Sequence, residues 1–433
     1  MAKPTVDILT QTPDVKVTVA CRTLSKAKQL AGRNAEAAVV DVNDESSLDS
    51  AVSKADLVIS LIPYIYHPQV IKSAIKYKKN ALTTSYTSPA IKELEPQIKE
   101  AGITVMNEIG LDPGIDHLYA VKTIEEVHEK NGKITSFLSY CGGLPAAENS
   151  DNPLGYKFSW SSRGALLSLR NAAHYYKNGK VESIKPEDLM STAQPYFIYP
   201  GFAFVAYPNR DSTQYKTLYG IPEAQTVIRG TLRYQGFPEF IKVLVDLGFF
   251  NDSPVEIFSK QVAWKDAFKE LIGAKSSSEK DLTARVLEAS TFKDEGEQHR
   301  IISGLKWLGL YSDKKIAPKG NPLDALCSTL EELMLYSEGE RDMVVLQHTF
   351  GIEWQDGTQE TRTSTLVDLG DPKGYSSMAR LVGVPCAVAA QQILSNSLGA
   401  KGLVAPMSSK VNNSIMETLK DKYGIYLTEK TVA

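Results

Sequence analysis

Five short apolar runs rich in β-branched residues punctuate residues 17–108: Val17–Cys21 (VTVAC), Ala37–Val42 (AAVVDV), Asp56–Pro63 (DLVISLIP), Asn80–Thr84 (NALTT) and Ile103–Glu108 (ITVMNE). Stretches of helical character separate them at Ser25–Ala31, Ser47–Lys54, His67–Lys78 and Pro89–Ala101. Apolar runs without a polar face read as strands buried on both sides, and strands alternating with helices at this spacing need crossover connections and so a parallel sheet. The expected fold class is α/β, with an open Rossmann-type domain that places its ligands at the carboxyl ends of the strands.

In such a domain the first strand runs into a glycine-rich turn whose backbone N–H groups, at a helix N-terminus, hold a pyrophosphate. Here VTVAC has the character of the second strand. Only residues 1–16 precede it, the first glycine is Gly32, and Pro4–Gln11 reads as the tail of a helix. The expectation is that the first strand and its glycine loop are missing, so the domain is incomplete at its N-terminus. Two inner strands then lose a neighbour, at about 1–3 kcal/mol for each backbone group left buried and unpaired, and cofactor binding weakens.

After Gly132 the pattern changes. Lys133–Cys141 and Val227–Tyr234 read as strands, and Ser162–Lys177 and Pro238–Leu247 as helices. The stretch Ser259–Tyr336 is mainly helical, with a polar loop at Lys275–Lys280. Asp342–Trp354 and Gln359–Leu369 flank QDGT, and Asp-Gly between alternating runs marks a hairpin. Ser377–Ser395 is a long apolar helix. The expected division is 1–111 plus 388–433 for the nucleotide domain, 112–255 plus 337–387 for a mixed α+β domain, and 256–336 for a small helical domain.

Composition narrows the function. The 433 residues are 42% hydrophobic and 23% charged, ordinary for a globular chain. A formal charge of −3 argues against nucleic acid as a partner, and no apolar stretch is expected to span a membrane. Cys21, Cys141, Cys327 and Cys386 are too widely spaced for a metal or redox motif. No metal site and a cytoplasmic location are expected.

Several residues have the type and position for chemistry. Arg22 follows the second strand, where an acidic residue would hold the ribose of NAD; a cation there accommodates the 2′-phosphate of NADP, with Thr23 and Ser25 as added donors. Asp41 ends the next strand, near an adenine or as a helix cap. Leu61–Tyr64 (LIPY) and Thr83–Tyr86 (TTSY) close strands on the ligand side of the sheet, and Tyr86 is a hydrogen-bonding candidate. Asp112, inside GLDPG, can orient an amine or exchange a proton with it, or simply form a turn. Cys141 stands before Gly142–Gly143 without a histidine partner, which favours binding or structure over nucleophilic attack. Arg210, Arg233 and Arg163 suit a substrate with several carboxylates. His117 and His128 make no metal site by spacing.

Long strings then carry a likeness. VTVACRTL, VISLIPY, AGITVMNEIGLDPGIDHLYAVKTIEEVH, SYCGGLPA, SDNPLGYKFSWSSRG, PYFIYPGFAFVAYPNRDST, VIRGTLRYQGFPEF and the terminal DKYGIYLTEKTVA closely resemble the fungal saccharopine reductases, the NADP-dependent, glutamate-forming type. The likeness departs at the opening strand and glycine loop. It implies NADPH reduction of the imine formed from aminoadipate semialdehyde and glutamate, giving saccharopine, in a homodimer. Carried over by motif, Cys21, Arg22, Thr23, Val40, Asp41, Ile62, Thr83, Thr84, Leu111, Asp112, Pro113 and Trp160 would line NADP(H). Ser85, Tyr86, Asp112, Arg210, Thr231, Leu232 and Arg233 would bind substrate, and Tyr86, Asp112 and Cys141 would stand at the reacting atoms. Two further readings are a dimeric remnant that binds substrate without cofactor turnover, and an oxidoreductase acting on another imine.

Overall fold

The computed structural model describes residues 1–159 and 161–432. Its first part is the expected alternation: α1 (Ala2–Thr10), β1 (Thr18–Cys21), α2 (Leu24–Ala31), β2 (Glu36–Val39), α3 (Glu45–Val52), β3 (Leu57–Ser60), α4 (His67–Lys76), β4 (Asn80–Thr83), α5 (Pro89–Lys92), α6 (Glu95–Ala101) and β5 (Thr104–Met106). All pairings here are parallel. The sheet comes in two pieces. β1 pairs with β2, while β3 pairs with β4 and β4 with β5. The break falls between β1 and β3, where the first strand of a Rossmann-type order would lie. Pro89–Ala101 is two helices rather than the single one expected; Pro96 near the start of α6 removes an N–H that a continuous helix would use.

α7 (Ile115–Glu129) leads into β6 (Lys133–Pro145), α8 (Ser162–Ser168), β7 (Ala173–Lys177), β8 (Lys180–Ile184), β9 (Gln194–Tyr196), β10 (Phe204–Pro208), α9 (Tyr215–Leu218), β11 (Thr226–Tyr234) and α10 (Phe237–Asp246). The expected helix over Ser162–Lys177 is corrected: only its first half is helical. Asn178 and Gly179 have φ of 51° and 80°, the pair of positive values that a two-residue hairpin turn demands, so AHYYK and KVESI pair as antiparallel strands.

Helices α11 (Trp264–Ile272), α12 (Glu279–Ala289), α13 (Glu295–Trp307) and α14 (Pro322–Met334) pack about Phe249, Phe258, Trp264 and Phe268. Ser278, Asp294 and Asn321 cap three of them by accepting backbone N–H groups three residues on. β12 (Asp342–Glu353) and β13 (Gln359–Leu369) form the expected hairpin. α15 (Ser377–Leu394), β14 (Gly402–Val404), α16 (Ser409–Tyr423) and β15 (Thr428–Thr431) complete the chain. β14 extends the β5 edge of the nucleotide sheet, and β15 the β13 edge of a nine-stranded mixed sheet.

α15 reaches the length and hydropathy of a membrane span, at 18 residues and a mean of 1.2, contrary to expectation. It is a core helix: 72% of it is buried, packed against α1, β3 and β4. α7 covers one face of the mixed sheet, with Ile124 and Val127 against Phe137 and Phe350.

Candidate active site

The site is built where the carboxyl ends of β4 and β5 meet the start of α7 and one face of β11. The loop from Gly110 to Gly114 makes this junction compact. Gly110 N–H donates to the Pro113 carbonyl at 2.9 Å, and the Asp112–Pro113 peptide is cis. Gly114 has φ of 146°, and a Cβ there would overlap the Gly110 backbone, so only glycine closes the loop. Gly114 N–H donates to Asp116 Oδ1 at 2.6 Å, which fixes that carboxylate at the head of α7.

Arg229, on β11, organises the charges. Its Nη2 donates to Asp112 Oδ1 at 2.6 Å, to the Tyr86 hydroxyl at 3.1 Å and to Asp116 Oδ2. Tyr86 in turn donates to Asp112 Oδ1 at 2.6 Å. The guanidinium lies 4.2 Å from the Tyr215 ring centre. Burial opposes ionisation of Asp112, but Arg229 and the Tyr86 hydroxyl outweigh it and hold the carboxyl below its usual range. At Asp116 burial wins and the pKa rises, although His117 and Arg229 pull the other way. Burial also pushes the Tyr86 phenol well up. The pair of carboxylates thus splits into one that stays ionised and one that takes a proton more readily.

A second layer steadies this one. His117 Nε2 lies 2.9 Å from Glu108 Oε2, and its Nδ1 lies 2.7 Å from the Tyr219 hydroxyl. Glu108 accepts the Thr87 N–H at 2.9 Å. Burial works against the Glu108 carboxylate, yet hydrogen bonds from His117 and Thr87 bring it down to about 2. Asp116 and Glu108 therefore stand beside His117, against the sequence expectation of no nearby ligand-type residue. No group of three metal-ligating side chains occurs among the described residues.

Most of the expected site residues converge here, and some do not. Arg210, at a positive φ of 49°, lays its guanidinium 5.0 Å from the Tyr86 ring centre. Arg233 is buried between the Tyr156 and Phe237 rings at 4.9 and 5.3 Å, and its Nε has no partner among the described residues. Thr231 shares the Arg229 and Arg233 face of the strand, because side chains repeat every second residue, and it accepts from Asn209 at 2.7 Å. Leu232 is corrected: it points to the opposite face, fully buried in the core, and its carbonyl is taken by Arg233 at 2.8 Å. Cys141 pairs in register with Thr231. Burial pushes its thiol well up, with Asp112 and Asp116 adding to the effect, so it is no thiolate nucleophile.

On the nucleotide side, Arg22 and Thr23 are exposed just past β1, with Cys21 half-buried beside them. Val40 donates its N–H to the Cys21 carbonyl. Asp41 accepts the Asn43 N–H at 2.9 Å, a turn rather than a helix cap; Asp44 caps α3. Ile62 is exposed, Leu111 and Pro113 are buried, and Trp160 lies outside the described residues. Arg163 is corrected: it pairs with Asp324 at 2.8 Å on the helical region. Thr83, Thr84 and Ser85 close β4, and Thr83 and Ser85 both touch the buried ring of His67.

Sequence reading missed Arg229, Asp116, His67 and the His117–Glu108 pair. The signal for Arg229 was present: in VIRGTLRY, residues 229, 231 and 233 fall on one face of a strand. In the sheet register Arg229 also continues a row through Ser139 and His348 to Ser364. Arg229 Nη1, Ser139 Oγ, both His348 ring nitrogens and Ser364 Oγ are buried without a partner among the described residues.

Comparison with known proteins assigns this architecture. The saccharopine dehydrogenase NADP binding domain matches residues 1–106, and the saccharopine dehydrogenase C-terminal domain matches residues 110–425. The chain is 63% identical to saccharopine dehydrogenase [NADP(+), L-glutamate-forming] of Saccharomyces cerevisiae, over 100% of the chain and 97% of that protein. It is 60% identical to the protein of the same description from Pyricularia oryzae, with the same coverage. A solved structure of apo, histidine-tagged saccharopine dehydrogenase (L-Glu forming) from Saccharomyces cerevisiae superposes with a TM-score of 0.94, covering 100% of this chain and 97% of that one.

Proposed function

The chain belongs to the saccharopine dehydrogenase family, and from that membership we propose that it reduces the imine of L-2-aminoadipate 6-semialdehyde and L-glutamate with NADPH, giving saccharopine. The likeness to the two fungal enzymes over the whole chain carries this reading. A substrate-binding remnant without turnover is not favoured by it.

The residues present fit NADP(H). Arg22 is exposed past β1 for a 2′-phosphate, and hydroxyls line the end of β4. When bound, the cofactor supplies the hydride that reduces the imine carbon. The chain's own residues do the positioning. Condensation of aldehyde and amine releases water, and reduction leaves a secondary amine that gains one proton at nitrogen. Asp112, held ionised by Arg229, favours the cationic form of that nitrogen. The Tyr86 hydroxyl, bonded to Asp112, is the group assigned to exchange a proton with that nitrogen. Arg210 and Arg233 bind substrate carboxylates, a role the planar guanidinium suits.

We also infer a cytoplasmic homodimer. The four free cysteines suit a reducing compartment, and Phe197 (74% exposed) and Leu369 (45% exposed) suit a covered surface. Light scattering of the purified protein and cell fractionation test these two points. The central test is NADPH oxidation on mixing the semialdehyde with glutamate. No oxidation, or equal rates when other amines replace glutamate, would overturn the assignment.

A further inference from the structure

His67 begins α4 and is 1% exposed. Its Nδ1 lies 2.8 Å from Ser60 Oγ, at the end of β3. Its Nε2 lies 3.0 Å from Thr83 Oγ1 and 3.0 Å from Ser85 Oγ, at the end of β4. Thr83 Oγ1 already accepts the Ser85 N–H at 3.2 Å. Ser60 and Thr83 are buried, and Ser85 is half-buried at the mouth of the site.

A neutral imidazole has one N–H and one acceptor nitrogen. Burial keeps the ring neutral, holding it at about 4. Ser60 and Thr83 each have a hydroxyl hydrogen, and among the described residues His67 is the hydrogen-bond partner that can accept either. One ring cannot satisfy both. If Nδ1 carries the proton, Nε2 draws the Thr83 or Ser85 hydrogen inward and the Ser60 hydrogen is stranded in the interior. If Nε2 carries it, Ser60 is satisfied by Nδ1, Nε2–H points at the Thr83 and Ser85 oxygens, and their own hydrogens turn away from the ring. The second arrangement is complete once an oxygen acceptor occupies the cleft, and the first never is. A buried polar hydrogen without an acceptor is costly, so an incoming acceptor selects the second.

We propose that His67, locked by Ser60, is a positioning residue that turns the Thr83 and Ser85 hydroxyls into donors toward an amide or carboxylate oxygen of the bound ligand. This rests on the functional reading above, in which Thr83 borders the cofactor and Ser85 the substrate. That oxygen belongs either to the nicotinamide carboxamide or to a saccharopine carboxylate.

The test combines nitrogen NMR of isotope-labelled histidine with binding assays on full-length wild type and Ser60→Ala. In the wild-type complexes with NADPH and with saccharopine, the proton is expected on Nε2 of His67; a proton on Nδ1 in both overturns the proposal. Ser60→Ala should weaken binding about threefold to tenfold, the worth of one hydrogen bond. A higher Kd for NADPH assigns the acceptor to the cofactor, and a higher KM for saccharopine assigns it to the substrate. If neither moves in the folded variant, the proposal fails. A wild-type protein that binds neither ligand sinks the functional reading as well, whereas binding with Nδ1 protonated sinks this proposal alone.

Discussion

Replacing Arg229 by glutamine strands two buried carboxylates. Asp112 and Asp116 both contact the same guanidinium nitrogen, and all three groups are largely shielded from water. At charge separations of about 4 Å and an effective dielectric near 20, each attraction amounts to about 4 kcal/mol. Desolvation of the arginine offsets much of the sum, and breaking such a buried pair typically leaves a net loss of about 3–5 kcal/mol. Protonation limits the damage. In Arg229→Gln the folded state holds a proton on one carboxyl that the unfolded state has released, so the variant gains stability as pH falls. The gain is about 1.4 kcal/mol per pH unit for one proton. The loss relative to wild type should shrink from about 4 kcal/mol near pH 8 to about 1–2 kcal/mol near pH 6. Urea denaturation followed by far-ultraviolet circular dichroism at the two pH values measures it, and hydrogen exchange in α7 localises it. Asp116→Asn added to the variant should restore part of the stability. A loss that does not vary with pH, or no recovery in the double variant, refutes the charge argument.

Arg22→Ala should weaken NADPH about tenfold or more while leaving NADH nearly unchanged, the signature of a charge-assisted phosphate contact; fluorescence titration with both cofactors decides it, and equal losses remove Arg22 from that role. Glu108 is lowered from 4.5 to about 2 on folding, so the stability it lends is complete above about pH 4.5 and is lost as pH falls toward 2. Glu108→Gln should therefore flatten the acid-unfolding curve in that window, read by circular dichroism, and an unchanged curve contradicts the role given to His117 and Thr87. His348 is buried, brought down to about 3 chiefly by that burial, with both ring nitrogens unpaired among the described residues. The unfolded state takes up a proton from 6.5 downward, so wild type loses stability between about pH 6.5 and 3. His348→Leu should be more stable by about 1 kcal/mol and less sensitive to pH there; a lower melting temperature would show that the ring has a partner that matters.

The chain's own order of residues determined most of the local elements. Apolar runs at β-strand length, Asp-Gly at the β12–β13 turn and the long apolar stretch of α15 are signals carried by a few neighbouring residues, and they read correctly. Asn178-Gly179 was an equally local signal, overlooked because AHYYK follows a helical start. Tyr86, Asp112 and Arg210 were singled out as candidates by residue type and by their place at strand ends and turns, and the fold brings them within reach of one another. Other features had no local mark. The pairing of Arg229 with Asp116, the ring of His67 shared by Ser60 and Ser85, and the turning of Leu232 into the core depend on which faces meet after packing. Residues 86, 112 and 229 are remote in sequence and meet only when β4, the β5 loop and β11 converge. Burial there turns ordinary polar side chains into coupled ones, because a charge or hydroxyl removed from water must find its partner inside the protein. Such partners are chosen by the assembled sheet and helices, and no stretch of the chain contains that choice.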